Sequence, residues 1–343
     1  MELTAAAVLA AGIAAMTAGL GAGLVVRTGP VDSPNARSSH ATPTVTTGGL
    51  TVVAGAALGL AVFALAAGPV PGLAAGGLTM TLAAALGVFG GFDDLHDVGA
   101  KTKLAAQTLA ALAFTLLVAH VPALPLPGVT LALAPAIGIA GAALWIVTVT
   151  NAVNFMDGAD GLAAGSMAIA LTALGLGCFA GGAPGLAVTA LASAAALVGF
   201  LPWNLPSKRL FQGDVGSLFS GFLVSALAVA AIARESTGFY LVPFALTPFL
   251  TDVLLTLALR ARRKQPLFEA HRDHLYQLWL RRTGRSHAAL ALRAWALTGA
   301  YAVAGLAAER ANGGMQPLLF LLGVLVAAAG WKLARRQLEQ LPA

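Results

Sequence analysis

Cysteine occurs once in the 343 residues, at Cys178, which rules out an intrachain disulfide and a Cys-based metal site. The residue reads as small core packing. Charge is also scarce: 10% of residues are charged, where a soluble chain carries about a quarter. No stretch is polar enough for a separate soluble domain. What fills the chain is apolar, with 58% hydrophobic residues, 40 Gly and a mean hydropathy of +0.83. Several runs reach the roughly 20 residues that cross about 30 Å of hydrocarbon. The fold class is therefore all-α, a polytopic integral membrane helical bundle, read as one domain over residues 1–343. The first run, Leu3–Val26, is too long for a signal-peptide core and lacks a basic leading region, so it reads as a span.

Eleven spans are expected, near residues 3–26, 47–67, 72–91, 104–121, 134–150, 161–181, 184–202, 217–233, 239–259, 287–308 and 315–333. Pro135 and Gly138 interrupt the fifth, and Pro122–Pro127 before it reads as an ordered extramembrane loop. An odd number puts the termini on opposite sides. With the N-terminus periplasmic and the C-terminus cytoplasmic, Arg27, Arg37, Lys101, Lys103, Lys208 and Arg209 face the cytoplasm. The Arg260–Arg285 loop and Lys332, Arg335 and Arg336 join them, leaving only Arg234 and Arg310 clearly outside. That is a strong positive-inside bias. The pI near 10.0 accordingly reports topology and contact with anionic headgroups, and no nucleic-acid partner is expected. The same topology puts Asp32, Asp93, Asp94, Asp97, Asp157, Asp160, Asp214 and Asp273 in cytoplasmic loops, against Glu2, Glu235 and Glu309 outside. One face is the working face, built from loops 27–46, 92–103, 151–160, 203–216 and 260–286.

The densest polar stretch is Asn151-Ala-Val-Asn154-Phe-Met-Asp157-Gly-Ala-Asp160-Gly161, set between apolar runs. An ionised side chain at mid-bilayer costs roughly 2.5–3.5 kcal/mol, so this stretch belongs at a membrane face. Asn154, Asp157 and Asp160 follow at intervals of three and would share a face on a helical turn. An EF-hand's spacing and closing Glu are absent. Four further segments carry chemistry. Asp32-Ser-Pro-Asn-Ala-Arg37-Ser38-Ser39-His40 suits a loop holding phosphate or sugar, or a solvated turn. Asp93-Asp94, followed by Lys101, Lys103 and Gln107, places adjacent carboxylates at a helix end, where a divalent metal or a bound proton relieves repulsion, with a solvated acidic helix end as the alternative. Phe211-Gln-Gly213-Asp214-Val-Gly216-Ser217 brings glycines and a carboxylate to a helix N-terminus, which favours phosphate or hydrated Mg²⁺. The last, His271-Arg272-Asp273-His274-Leu-Tyr276-Gln277, reads as phosphate recognition, with headgroup contact as the alternative.

So many carboxylates on one face need Mg²⁺ and basic residues to offset them, and Mg²⁺ prefers one or two carboxylates plus substrate phosphates. A phosphorylated substrate is the expectation. At this point the chain resembles the polyprenyl-phosphate N-acetylhexosamine-1-phosphate transferases. The matching pieces are Pro34-Asn-Ala-Arg-Ser-Ser-His40, Asp93-Asp94 with Lys103 and Gln107, Asn151 to Leu162, Phe211 to Ser217, and His271 to Gln277. They keep the family's order across residues 32–277. The Arg-Ser-Ser-His and His-x2-His-x-Tyr-Gln forms resemble the O-antigen-initiating branch. The peptidoglycan branch, acting on UDP-MurNAc-pentapeptide, shows three successive His where this chain has His271-Arg-Asp-His274. One departure is Thr44-Val-Thr-Thr-Gly48-Gly49 in place of Thr-Pro-Arg-Gly-Gly-Gly. It removes an Arg and bears on the sugar bound, not on the chemistry.

The resemblance implies transfer of a sugar-1-phosphate from a UDP-sugar to undecaprenyl phosphate with release of UMP, at the cytoplasmic face of a bacterial inner membrane, in a homodimer. It implies Mg²⁺, with Mn²⁺ as a substitute, held by Asn154 and Asp214. The implied catalytic set is Asp93, Asp94, Asp214, His271 and His274. Substrate contacts would come from Arg37, Ser38, Ser39, His40, Lys103, Asn151, Asp157, Asp160, Arg272 and Asp252, with Asp160 on the uracil. Asp252 lies inside the ninth span, where an acid is a functional candidate by default, here lining the lipid-phosphate groove, with a partner to nearby polar backbone as the alternative. His120, His287, Trp145, Trp203 and Trp331 read as interfacial residues. Lipid phosphate is largely ionised near pH 7, its second pKa being about 6, which favours direct attack over a covalent Asp intermediate. The rival from another class is a transporter or flippase. It predicts internal repeats and several acids at mid-membrane, whereas Asp252 is the one deep acid here.

Overall fold

The computed structural model describes every residue except 30, 33–43, 97, 206–208, 268–270, 312–313 and 342–343, and gives the backbone alone for Val31–Asp32. The expected contacts Arg37, Ser38, Ser39 and His40 lie outside the described residues, as do Asp97, Lys208 and the side chain of Asp32.

The chain runs α1 (Leu3–Thr28), β1 (Val31–Asp32), β2 (Thr44–Val45), α2 (Gly49–Ala67), α3 (Leu73–His96) and α4 (Ala100–Leu117). It continues with β3 (Ala123–Leu126), β4 (Val129–Ala132), α5 (Pro135–Met156), α6 (Leu162–Ala180), α7 (Pro184–Asn204) and α8 (Gly213–Ala233). The last elements are α9 (Leu241–Arg262), α10 (Leu275–Thr283), α11 (His287–Ala308) and α12 (Gln316–Gln340). Among the described residues, ten of these helices are long and apolar enough to cross a membrane. The 18-residue α4 stands where the fourth crossing was expected, its first turns diluted by Lys101, Lys103 and Gln107. The protein is a polytopic helical membrane bundle.

Several boundaries differ from the sequence reading, and some of them move site residues onto a helix, as the start of α4 at Ala100 does for Lys103. Pro135 starts α5 instead of interrupting it, because the first helical position needs no N–H. Gly138 lets α5 approach the Val121 carbonyl, which a Cβ would strike. At its other end α5 runs on to Met156, so Asn151 and Asn154 are helical while Asp157 and Asp160 lie beyond it. Likewise α3 extends to His96 and carries Asp93 and Asp94 in its last turns, and α8 begins at Gly213, ahead of Asp214. The segment around Pro122–Pro127 is an antiparallel hairpin, β3 against β4 with Leu126 opposite Val129.

Lipid supplies no hydrophobic drive between helices, so close packing of small residues does the work. In α1 the residues Ala6, Ala10, Ala14, Ala18 and Ala22 form one fully buried stripe at i, i+4 spacing, facing α2 and α7. Gly55 and Gly59 of α2 come so near Ala14 and Ala10 that a Cβ would touch their carbonyls. The most enclosed helix is α8, packed against α3 and α5. Its N-terminus, the C-termini of α3, α5, α7 and α9, and the N-termini of α4, α6 and α11 all fall at one end of the bundle. The β3–β4 hairpin lies at the other.

Candidate active site

A cleft of about 370 Å³ opens at that end. Asp94, Asn154, Asp157, Asp160, Asn204, Phe211, Asp214, Tyr276 and His287 line it, with Thr46, Gln212 and Gln277. Lys103, which does not itself line the cleft, donates from Nζ to Asp214 Oδ2 at 2.8 Å and also pairs with Asp93. Asn154 Nδ2 donates to Asp214 Oδ1 at 2.8 Å and to Ser217 Oγ at 2.9 Å. Asp94 approaches from α3, its oxygens accepting the Asp214 backbone N–H at 3.0 and 3.2 Å. Gly213 makes this possible: it sits at φ +65°, and a Cβ there would lie 2.5 Å from Asp94 Oδ2.

The adjacent carboxylates do different work. Asp93 is buried, accepts the Val98 N–H at 2.9 Å and anchors Lys103. Asp94 is exposed and faces the cleft. Beyond α5, Asp157 is half-buried on the cleft wall. Desolvation, then the charges of Asp214 and Asp94, push its pKa well above the usual carboxylate range. Asp157 and Asp160 both reach the cleft through a turn, not along a helix face shared with Asn154.

That turn is held from four sides. Tyr276 donates to the Phe155 carbonyl at 3.0 Å, across a Gly158 that has no room for a Cβ. Asn204 accepts the Gly161 N–H, and Trp295 Nε1 donates to the Gly161 carbonyl at 2.8 Å. His287 Nδ1 lies 2.8 Å from Asp160 Oδ2. Asn204 and His287 were absent from the expected site. Asn204 carries the signal that marked Asn154, an amide at the polar end of an apolar helix. His287, read as interfacial, gave no local signal, since only the packing of α11 on α6 brings it to Asp160.

His271 and His274 stand beside the cleft and do not line it. Their rings are 4.9 Å apart, and His274 stacks at 6.0 Å on both Phe155 and Tyr276. Burial lowers both pKa values, that of His271 to about 4, with His274 as its next largest cause. The half-buried Arg272 gives its carbonyl to Arg281 at 2.7 Å.

Two expected substrate contacts, Asp252 and Asn151, are engaged within the protein. Asp252 is buried and accepts from Leu275 N at 2.8 Å, Tyr276 N at 3.3 Å, Thr256 Oγ1 at 3.1 Å and Trp331 Nε1 at 3.0 Å. A carboxylate has about four lone-pair sites, so its capacity goes to fixing the start of α10. Trp331, read as interfacial, thus reaches inward. Asn151 donates to Gln107 and to the Val147 carbonyl, tying α5 to α4. It does not line the cleft. The last helix also grips the His loop, Arg335 donating to the Asp273 carbonyl at 2.8 Å while Arg260 pairs with the Asp273 carboxylate.

Residues 76–232 match the family described as glycosyl transferase family 4. Over 297 residues the chain is 32% identical to a decaprenyl-phosphate N-acetylglucosaminephosphotransferase of Mycobacterium tuberculosis, covering 77% of this chain and 72% of that protein. The chain belongs to that family. It is also 34% identical over 135 residues to a probable undecaprenyl-phosphate N-acetylglucosaminyl 1-phosphate transferase of Bacillus subtilis, covering 39% of this chain and 38% of the relative. A phospho-N-acetylmuramoyl-pentapeptide-transferase of Mycolicibacterium gilvum is 32% identical over 186 residues, or 49% of this chain and 50% of the relative. Family membership brings with it the general class of reaction, phospho-sugar transfer to a prenyl phosphate. The family match ends at residue 232, before the His loop, α11 and α12.

Proposed function

We propose that the chain transfers an N-acetylhexosamine-1-phosphate from a UDP-sugar to undecaprenyl phosphate, releasing UMP at the cytoplasmic face of the bacterial inner membrane. The product would start O-antigen or a related cell-envelope glycan. The observation that carries this reading is the Lys103–Asp214–Asn154 constellation, with Asp94 beside it, at a polar cleft. N-acetylglucosamine is the favoured sugar, because the relative matched over most of both chains is named for it. The phospho-N-acetylmuramoyl-pentapeptide relative is matched over only half of each chain.

Among the described residues, no three His, Cys, Asp or Glu side chains gather into a closed metal site. Mg²⁺ does not need one, since it takes one or two carboxylates and leaves other positions to phosphates and water. The oxygen donors at the cleft fit that habit. Asp214 and Asn154 would hold the ion; Asp157 is raised first by desolvation and then by the nearby carboxylates, and that second part is negative charge a cation would relieve. Bound there, Mg²⁺ would neutralise the charge of the pyrophosphate.

In the transfer a lipid-phosphate oxygen attacks the phosphorus bonded to the sugar, and the anhydride bond to the UMP phosphate breaks. One phosphoanhydride is lost and one gained. Such a reaction asks for positioning and charge stabilisation more than for covalent chemistry. Lys103 supplies a fixed positive charge held by Asp93. Asp94 faces the cleft, as a group placing the lipid phosphate must. Asp160 and Phe211 wall a part of the cleft with a carboxylate and a ring, chemistry that suits a nucleobase.

The test is UMP release by purified protein given undecaprenyl phosphate, Mg²⁺ and a panel of UDP-N-acetylhexosamines. Release that needs both lipid and metal, and is lost in Asp214→Ala and Asp94→Asn, supports the reading. Release without lipid acceptor, or none from any sugar by folded protein that binds UDP-sugar, sinks it.

A further inference from the structure

His287 opens α11, with Ser286 as the N-cap whose side chain accepts from Ala289 N. The helix start is thereby fixed, and the ring projects from it to the cleft wall. Its Nδ1 lies 2.8 Å from Asp160 Oδ2 and 3.2 Å from Asp160 N. The Asp160 N–H also points at Nδ1, so the two contacts ask for opposite tautomers. The shorter one, to a carboxylate, favours the proton on Nδ1, which then donates to Oδ2. Among the described residues no donor engages Oδ1. Asp160 is itself buried, and its neighbour Gly161 is bolted at both backbone atoms by Asn204 and Trp295. A carboxylate so held, with one oxygen occupied and one open, is an acceptor fixed in direction.

We propose that His287 is a positioning residue that sets base selection in the donor nucleotide by fixing the Asp160 carboxylate. This rests on the UDP-sugar reading above. An oriented acceptor reads an N–H of the ligand. Uracil presents N3–H at the position where cytosine presents a lone pair, so a fixed Asp160 favours the first and repels the second. Without His287 the carboxylate is free to turn and the discrimination fades.

Binding of UDP and of CDP to the full chain in detergent, with Mg²⁺, tests this without the lipid acceptor. Wild type should bind UDP more tightly than CDP. His287→Ala should weaken UDP about tenfold, the loss of one charge-assisted hydrogen bond, and leave CDP within about twofold. His287→Asn, which keeps a donor near the Nδ1 position, should recover most of the UDP affinity. In an Asp160→Asn background the same His287→Ala change should cost less than about twofold, because the partner it acts through is gone. Equal weakening of UDP and CDP, an undiminished cost in the Asp160→Asn background, or unchanged UDP binding by His287→Ala would each overturn the proposal. Wild type that binds neither nucleotide would instead remove the donor reading itself, and this assignment with it. Matching thermal transitions of wild type and variants separate all these outcomes from misfolding.

Discussion

Lys103 and Asp214 are 111 positions apart in the chain and meet at 2.8 Å, and the same ammonium also reaches the buried Asp93. One cation therefore serves two carboxylates at the head of the cleft. Lys103→Met should lower turnover by at least about 100-fold, the scale of losing one preorganised charge stabiliser. It should also lower stability by about 3 kcal/mol, since it strands a buried carboxylate. Initial rates of UMP release and a thermal melt in detergent measure both. Turnover within a few-fold of wild type would show that the lysine only packs.

The brace at Asp252 makes a second, separable expectation. Trp331→Phe removes one of the four donors to that carboxylate and should cost about 1 kcal/mol with activity nearly kept. Asp252→Ala leaves two backbone N–H groups at the start of α10 without their acceptor. It should cost about 2–4 kcal/mol and reduce turnover, because the His loop is strung between Asp252 and α10. If Asp252 instead held substrate, Asp252→Ala would raise the KM for a substrate with the melt unchanged.

Much of this was legible in the sequence because membrane residence simplifies the code. Long apolar runs gave the spans, and the polar residues stranded between them gave Asp93, Asp94, Asn154, Asp157 and Asp214. Local sequence could not say which residue of a polar pair faces the ligand. Asp93 and Asp94 are neighbours of one type, and only the return of the chain through Val98 and Lys103 engages the first while the second meets α8 at the cleft. Nor could it reveal contacts between distant helices. His287 meets Asp160 across 127 positions, and Trp331 meets Asp252 across 79. For Asp252 the sequence left open a place in the lipid-phosphate groove or a partnership with nearby polar backbone. Its partners are the protein's own backbone and side chains.

Acid should loosen the His loop. His271 titrates near 4 in the folded protein, against an ordinary imidazole value of about 6.5, and His274 is lowered too. Between those values the unfolded chain binds more protons than the folded one, so stability rises with pH through the window and is lost as pH falls from 6.5 toward 4. Asp157 acts in the opposite sense: its raised pKa makes the folded state bind more protons than the unfolded one, which favours the fold in acid. The informative quantity is therefore the difference between wild type and His271→Gln. Melting temperatures at pH 7.5, 6 and 5 should fall less steeply in the variant. Parallel curves would place the titrating group elsewhere.

The distance between Asp94 and Asp214 is set by a glycine contact between α3 and α8. A Cβ at Gly90 would lie 2.5 Å from the Asp214 carbonyl oxygen, a backbone atom that cannot swing aside. Gly90→Ala must therefore push α3 off α8 at the level of the site. Near-attack geometry tolerates little displacement, and a misplacement of about 1 Å can cost about 100-fold. Turnover should drop on that scale, while the rest of the α3–α8 packing stays in place. Gly77, on the same helix, has nothing within 4 Å of the point where a Cβ would stand. Gly77→Ala should leave turnover unchanged and stabilise the helix by up to about 1 kcal/mol. Rates measured side by side separate the two cases. An equal effect of both substitutions would mean that helix propensity, not the approach of Asp94 to Asp214, governs the change.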